Sequence, residues 1–155
     1  MKKIILLADD DSDDTEMFCE ALADIDQNSI CHCAANGNEA LNILNELEEK
    51  PKLIFLDLNM PIMNGWDCMK ILKEDKLYKD IPVIMISTSS HKNDMDTAAA
   101  LGAICYFVKP NSYNDLKYIL HSITANLVTD LKSAIRNLQK EKSGNIFGFT
   151  EINEA

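Results

Sequence analysis

The most constraining feature of this chain is a regular alternation of short apolar runs with longer segments of helical periodicity. Nearly continuous apolar strands that alternate with helices are typical of a parallel sheet covered on both faces. The sequence therefore predicts an α/β fold with a doubly wound, five-stranded parallel sheet and helices on both faces. The five predicted strands lie within residues 3–8, 30–34, 51–58, 81–87 and 104–108.

Polar side chains come directly after four of these strands. In an open α/β sheet, ligands bind in the crevice beyond the carboxyl ends of the strands, so these positions are the first candidates for chemistry. We expect them to meet at one edge of the sheet. They are Asp9 and Asp10 after the first strand, Asp57 and Asn59 at the third, Ser87 at the fourth and Lys109 after the fifth.

The charges at this edge predict a divalent metal site. The carboxylates of Asp9, Asp10 and Asp57 repel one another when they are close together, and Lys109 supplies only one positive charge. Oxygen ligands without histidine or cysteine suit Mg²⁺, which readily takes a phosphate oxygen as a further ligand. With a metal, a lysine and the Ser87 hydroxyl around it, Asp57 is placed to act as a nucleophile toward phosphorus.

Four stretches of the chain carry a family resemblance. "LLADDD", "IFLDLNMPIMNGWD", "IPVIMIS" and "YFVKP" resemble, in order and spacing, the motifs of the receiver domain of two-component response regulators. The similarity covers roughly residues 3–125. It implies a flavodoxin-like fold and a chemotaxis-receiver-like protein that stands alone.

The resemblance also implies a role for each matching position. Asp57 would be the phosphoacceptor, Asp10 a direct Mg²⁺ ligand, and Asp9 a ligand through water. The backbone carbonyl of Asn59 would complete the metal shell. Lys109 would bridge to the phosphoryl group, and Tyr106 would be an aromatic switch that changes rotamer together with Ser87.

These roles predict a phosphoacceptor signalling protein and not an enzyme. Its phosphoryl group would come from a sensor histidine kinase or a phosphotransfer protein, and its output would be phosphorylation-dependent binding to a downstream protein effector. One alternative is an aspartate-based phosphohydrolase or phosphotransferase, which is disfavoured because Asn59 stands where such enzymes need a second acid. Another is a receiver that only binds, which is disfavoured because every chemical position is filled.

Composition excludes several other classes. The formal net charge of −10 and a pI near 4.6 argue against binding to nucleic acid, which needs clustered Lys and Arg. No stretch reaches the roughly 20 apolar residues that a membrane span requires. We therefore expect a cytoplasmic protein with neither nucleic acid nor membrane as a partner.

Two further groups of residues, the acids that follow Asp10 and the cysteines, are interpreted as structural. The acids Asp11, Asp13 and Asp14 are interpreted as charges that favour the N-terminal end of the first helix. The five cysteines form no CxxC pair and are interpreted as reduced core residues. Cys31-His32-Cys33 has the residue types of a soft-metal site, but a strand places His32 on the opposite face from the two thiols and no second pair lies nearby in sequence.

The segment beyond the receiver-like part is predicted to be an extension. We assign residues 1–125 to the receiver domain and residues 126–155 to a C-terminal extension without a separate effector domain. Leu131, Ile135 and Leu138 form an apolar stripe that predicts an amphipathic helix. We expect the helix to lie beside the face of the fourth helix, fifth strand and fifth helix, or to support a homodimer. After Gly144 the chain is expected to fray, although "IFGF" has the composition to dock in a groove.

Overall fold

A computed structural model describes residues 2–149 and shows one six-stranded sheet with helices on both faces. The spatial order of the strands is β2-β1-β3-β4-β5-β6, and all neighbouring pairs are parallel except the antiparallel pair of β5 and β6. In chain order the elements are β1 Lys3–Ala8, α1 Ser12–Ile25, β2 Ser29–Ala34, α2 Gly37–Glu46, β3 Leu53–Asp57, α3 Gly65–Glu74, β4 Val83–Ser87, α4 Lys92–Leu101, β5 Cys105–Val108, α5 Tyr113–Ala125, α6 Leu131–Glu141 and β6 Ile146–Gly148.

Alternate side chains of each central strand pack against different helices. Successive residues of a strand point to opposite faces of the sheet. Ile54 and Leu56 of β3 therefore pack in one core cluster, together with residues of α2, α3 and α4, whereas Phe55 packs in a second cluster on the other face. The second cluster contains α1, α5 and α6, and the rings of Phe18 and Phe55 meet there edge to face with centroids 4.9 Å apart. The predicted α/β fold with a parallel sheet and two helical layers is therefore confirmed.

The five predicted strands all form, and the predicted helices follow them. The first strand has the predicted bounds, and the other ends move by only one or two residues. Gly102 ends α4 in the left-handed conformation, with φ of 100°, which glycine adopts without steric cost. Within residues 2–149, no helix is both long enough and apolar enough to cross a membrane.

The C-terminal extension agrees with the prediction as far as its helix and differs from it in the residues that follow. The helix α6 forms and buries Ala134, Ile135 and Leu138, of which Ile135 and Leu138 join the second core cluster. The expectation that the chain frays after Gly144 is wrong for residues 145–149, since β6 adds a sixth, antiparallel strand to the predicted five. The remaining residues, 150–155, lie outside the part that the structure describes.

Side-chain and backbone contacts hold β6 at the edge of the sheet. The backbone N–H of Val108 donates to the carbonyl of Asn145 at 2.8 Å, and the Asn145 side-chain amide donates back to the carbonyl of Val108 at 2.8 Å. Ile146 is fully buried. The strand therefore satisfies polar groups of β5 that would otherwise face solvent.

Candidate functional site

The predicted acidic cluster forms at the carboxyl ends of β1 and β3. Asp9 and Asp57 are buried, with 4% and 7% of their surface exposed, whereas Asp10 is exposed. One carboxylate oxygen from each of the three lies within 4.8 Å of the others. The parallel pairing of β1 with β3 brings these residues together, although 48 positions separate Asp9 from Asp57.

Backbone donors orient the two buried carboxylates. The N–H of Asp11 donates to Asp9 Oδ1 at 3.0 Å, and the N–H of Asn59 donates to Asp57 Oδ1 at 3.3 Å. Each bond uses one oxygen of the carboxylate, so the second oxygen is directed to other partners.

Lys109 is the cation at the centre of the site. Its backbone N–H donates to the carbonyl of Ser87 at 2.8 Å, which places the residue beside the end of β4. Its Nζ lies 2.8 Å from Asp9 Oδ2, 2.8 Å from Asp14 Oδ2 and 3.5 Å from Asp57 Oδ2. The amine therefore contacts Asp9 and Asp14 more closely than it contacts Asp57.

Asp14 is a site residue that the sequence interpretation missed. Asp11 behaves as expected, because its side chain accepts hydrogen bonds from the N–H groups of Asp13 and Asp14 and caps α1. The interpretation of Asp14 as only a helix-end charge is incomplete, since its carboxylate also pairs with Lys109. The only sequence signal was its position in the first turn of the helix that follows the acid pair.

Burial and mutual repulsion determine the ionisation of the site. Burial, followed by the proximity of Asp9, raises the pKa of Asp57 to about 7, while the charge of Lys109 acts in the opposite direction. Burial disfavours the charge of Lys109, but its hydrogen bonds with Asp14 and Asp9 hold the pKa of Lys109 above its ordinary value. Lys109 alone therefore does not keep Asp57 fully ionised near neutral pH.

A tight loop carries Asn59 and positions the next helix close to Asp57. The N–H of Gly65 donates to the carbonyl of Leu58 at 3.0 Å. A Cβ atom at position 65 would overlap the backbone carbonyl oxygen of Asp57, so only glycine allows α3 to begin this near the site.

Ser87 and Tyr106 are close to each other and share a neighbour. Ser87 is 1% exposed, and its Oγ accepts a hydrogen bond from the N–H of Ser89 at 2.9 Å. The ring of Tyr106 is buried, and its hydroxyl donates to the carbonyl of Ser89 at 2.9 Å. The segment after β4 therefore connects the serine at the site with the aromatic residue on β5.

Comparison with known proteins agrees with this fold and shows the family of the chain. The profile of the response regulator receiver domain matches residues 5–121, and the chain belongs to that family. It is 32% identical over 119 residues to a chemotaxis protein CheY homologue of Campylobacter jejuni, with 77% of this chain and 90% of that protein covered. Some curated relatives are longer, and the chain spans 59% of a probable transcriptional regulator ycf27 from Porphyridium aerugineum.

Two solved structures show the same architecture. The phosphorylated cyanobacterial phytochrome response regulator RcpA superposes with a TM-score of 0.75 at 29% identity, over 83% of this chain and 96% of that one. The Mn²⁺-bound response regulator Rcp1 gives a TM-score of 0.69 at 29% identity, over 82% of this chain and 96% of that one.

The residues present fit a divalent cation. Asp9, Asp10 and Asp57 are typical of the phosphorylation site of a receiver domain, and their oxygen donors suit a hard metal ion. Burial, with a further contribution from Asp9, disfavours the charge of Asp57 and raises its pKa, and Lys109 only partly offsets this effect. A bound divalent cation would supply further positive charge.

Proposed function

We propose that this receiver accepts a phosphoryl group on Asp57 and signals through phosphorylation-dependent binding to another protein. One observation carries the proposal. The Asp57 carboxylate ends β3 within 4.8 Å of oxygens from Asp9 and Asp10, and 3.5 Å from the amine of Lys109. Asp57 therefore has a group of oxygen ligands for a metal on one side and the amine of Lys109 near the position that a phosphoryl oxygen would occupy.

Four residues would hold the metal, which we propose is Mg²⁺. Asp10 and Asp57 would be direct carboxylate ligands, Asp9 would bind through water, and Asn59 would contribute its backbone carbonyl oxygen. When bound, the ion would neutralise charge on the phosphoryl oxygens. The exposure of Asp10 leaves the cluster accessible from solvent on one side.

The protein's own groups account for the transfer step. An oxygen of Asp57 forms a bond to phosphorus as the bond from phosphorus to the donor's nitrogen or oxygen breaks, and the leaving group keeps that bond's electron pair. Lys109 is close enough to move from Asp14 toward a phosphoryl oxygen, because its amine already lies 3.5 Å from Asp57. The Ser87 hydroxyl would donate to another phosphoryl oxygen.

The same hydroxyl links the site to a switch that we propose at Tyr106. When Ser87 turns toward the phosphoryl group, the contacts around Ser89 change, and the Tyr106 hydroxyl loses the geometry of its bond to the Ser89 carbonyl. The altered packing would be presented on the surface formed by α4, β5 and α5. A downstream protein effector would recognise that surface.

The partners follow from the family. We propose a sensor histidine kinase or a phosphotransfer protein as the phosphoryl donor, and a cytoplasmic location, which is usual for receiver domains. Nucleic acid is not proposed as a partner, since the chain carries a net charge of −10. We place the receiver domain at residues 1–125 and treat residues 126–155 as an extension that modulates partner binding or homodimerisation.

Acetyl phosphate offers a direct test of the phosphoacceptor. The protein is incubated with acetyl phosphate and Mg²⁺, and the adduct is counted by intact mass and located by peptide mapping after borohydride reduction. One phosphoryl group is expected on Asp57, none in Asp57→Asn, and none when EDTA replaces Mg²⁺. Asp13→Asn, a change of an exposed acid outside the cluster, serves as the matched control and should label normally.

The same experiment separates the alternatives. Undiminished labelling of Asp57→Asn would contradict the assignment. Absence of labelling in the unaltered protein, with metal binding retained, would favour a receiver that only binds. Rapid multiple turnover of phosphate esters would favour a phosphohydrolase, which Asn59 disfavours because it provides no second acid.

A further inference from the structure

Three cysteine thiols meet between α1 and the edge strand β2. The Sγ atoms of Cys19 and Cys33 lie 3.2 Å apart, and those of Cys31 and Cys33 lie 3.8 Å apart. All three sulfurs lie within 4.8 Å of one another. We refer to Cys19, Cys31 and Cys33 as the thiol cluster.

The fold, and not the local sequence, assembles the thiol cluster. Cys31 and Cys33 are two positions apart on β2, so both side chains point to the same face of the sheet. The helix α1 packs on that face and brings Cys19 to them. The sequence disfavoured a metal site at Cys31-His32-Cys33 because no second Cys/His pair lay nearby in sequence, whereas the fold brings a third thiol, that of Cys19, from α1.

We propose that the thiol cluster binds one thiophilic metal ion of filled d shell, Zn²⁺ or Cu(I), through three cysteine sulfurs. Thiolate sulfurs around zinc lie about 2.3 Å from the metal, which places tetrahedrally arranged sulfurs about 3.8 Å apart. The distances of 3.2 Å and 3.8 Å, with all pairs within 4.8 Å, allow this arrangement with side-chain adjustments of less than about 1 Å. Soft sulfur donors select these ions over the hard cation expected at the acids.

The thiol cluster is accessible to ions, in contrast to the other two cysteines. Cys68 and Cys105 have no exposed surface, whereas the three clustered cysteines are each partly exposed. Cys19 and Cys33 line an open groove that Glu16 and Glu39 also line and that reaches Asp9 and Asp10 of the acidic cluster. A water molecule from this groove would provide the fourth ligand that zinc requires, while three thiolates would suffice for Cu(I).

Binding would displace the thiol protons to the buffer, so no oxidant or reductant takes part. Hydrogen bonding from Cys31 lowers the pKa of Cys33, whereas burial raises the pKa of Cys19 and the hydrogen bond with Cys33 raises the pKa of Cys31, so the metal must displace protons from the cluster. The inference does not depend on the proposed phosphorylation, because the ligands of the two sites are different residues.

Metal titration of the reduced full-length protein tests the site. Zn²⁺ binding is measured by competition with a chromogenic chelator under anaerobic conditions, and Cu(I) binding in a parallel arm with a Cu(I)-selective chelator. Co²⁺ serves as a spectroscopic probe, because only thiolate ligation gives an intense sulfur-to-cobalt charge-transfer band. With excess Mg²⁺ present to occupy the acidic cluster, we expect one tightly bound equivalent of metal, proton release on binding, and the charge-transfer band.

Matched variants distinguish the thiol cluster from other ligands. Cys33→Ser should lower the affinity by more than about tenfold, because even the loss of a residue that only supports a ligand has effects of that size. Cys68→Ala, which removes a thiol outside the cluster, and Asp57→Asn, which alters the acidic site, should leave the affinity and the band unchanged. Circular dichroism of each variant verifies that it is folded.

Two results would overturn the proposal. One is that the reduced protein binds Zn²⁺ and Cu(I) no more tightly than folded Cys33→Ser does. The other is that binding disappears in Asp57→Asn and persists in Cys33→Ser, which would assign the metal to the acidic cluster.

Discussion

Phe147 of β6 is the register partner of Tyr106 of β5, so the two aromatic residues stand side by side across the antiparallel pair. Phe147 packs against the same core cluster that contains the buried ring of Tyr106. The C-terminal strand is therefore in contact with the residue that we propose as the switch. A change at Tyr106 has a direct route to β6.

We predict that a phosphoryl mimic alters hydrogen exchange in β6. Addition of beryllofluoride with Mg²⁺ should change the exchange rates of the amides in residues 146–149 several-fold, because the packing of Tyr106 supports this strand. Ser87→Ala lacks the hydroxyl that responds to the phosphoryl group and should show a much smaller change while still binding the mimic. Exchange measured by mass spectrometry is the test, and equal rates with and without the mimic would contradict the link.

We predict that Asp57→Asn stabilises the metal-free protein at neutral pH. The pKa of Asp57 is about 7 in the folded protein and near 3.8 in the unfolded chain, so the folded state binds more protons between these values. The stability contributed by protonated Asp57 is thus full below pH 4 and is lost as the pH rises to 7. Thermal melts in EDTA from pH 4 to 8 should show this decline in the unaltered protein and a flatter profile in the variant.

We predict that Mg²⁺ raises the melting temperature through the acidic cluster. A ligand that binds only the folded state adds about 2.7 kcal/mol when its free concentration is about a hundredfold above Kd. Asp10→Ala should lose most of the increase, because it removes a proposed direct ligand. Asp13→Ala, at an exposed position in the first turn of α1, should retain the increase. Coincident melts in EDTA and Mg²⁺ for the unaltered protein would argue against a metal site.

We predict that α6 and the receiver core unfold together. Ile135 of α6 is fully buried, so Ile135→Ala should lower the free energy of unfolding by about 2–5 kcal/mol. Val128→Ala, at a position 54% exposed, should change it by less than about 0.5 kcal/mol. Urea unfolding followed by circular dichroism and by the fluorescence of Trp66 measures both effects. A separate early transition in Ile135→Ala would show that α6 unfolds on its own.

The sequence predicted the parallel strands and the acidic cluster because both follow from local patterns. Apolar runs marked each strand, and parallel pairing then required Asp9 and Asp57 to share one edge. The roles of Asp14 and Cys19 were not predicted because both residues lie on α1. Their contacts with Lys109 and Cys33 depend on how that helix packs on the sheet, which the local sequence does not determine. The strand β6 was not predicted, because a strand of three residues shows no periodicity and its partner on β5 lies about 40 positions earlier in the sequence.

The pairing of β6 with β5 also affects whether shortened forms of the protein self-associate. A chain that ends at Asn126 would expose the backbone groups of β5, a short strand that contains Tyr106 and Phe107. Unpaired strands of this kind recruit strands from other molecules. Self-association of the shortened chain would therefore result from the loss of β6, which covers the edge of the sheet in the longer chain. Only association that changes with phosphorylation would be evidence of signalling.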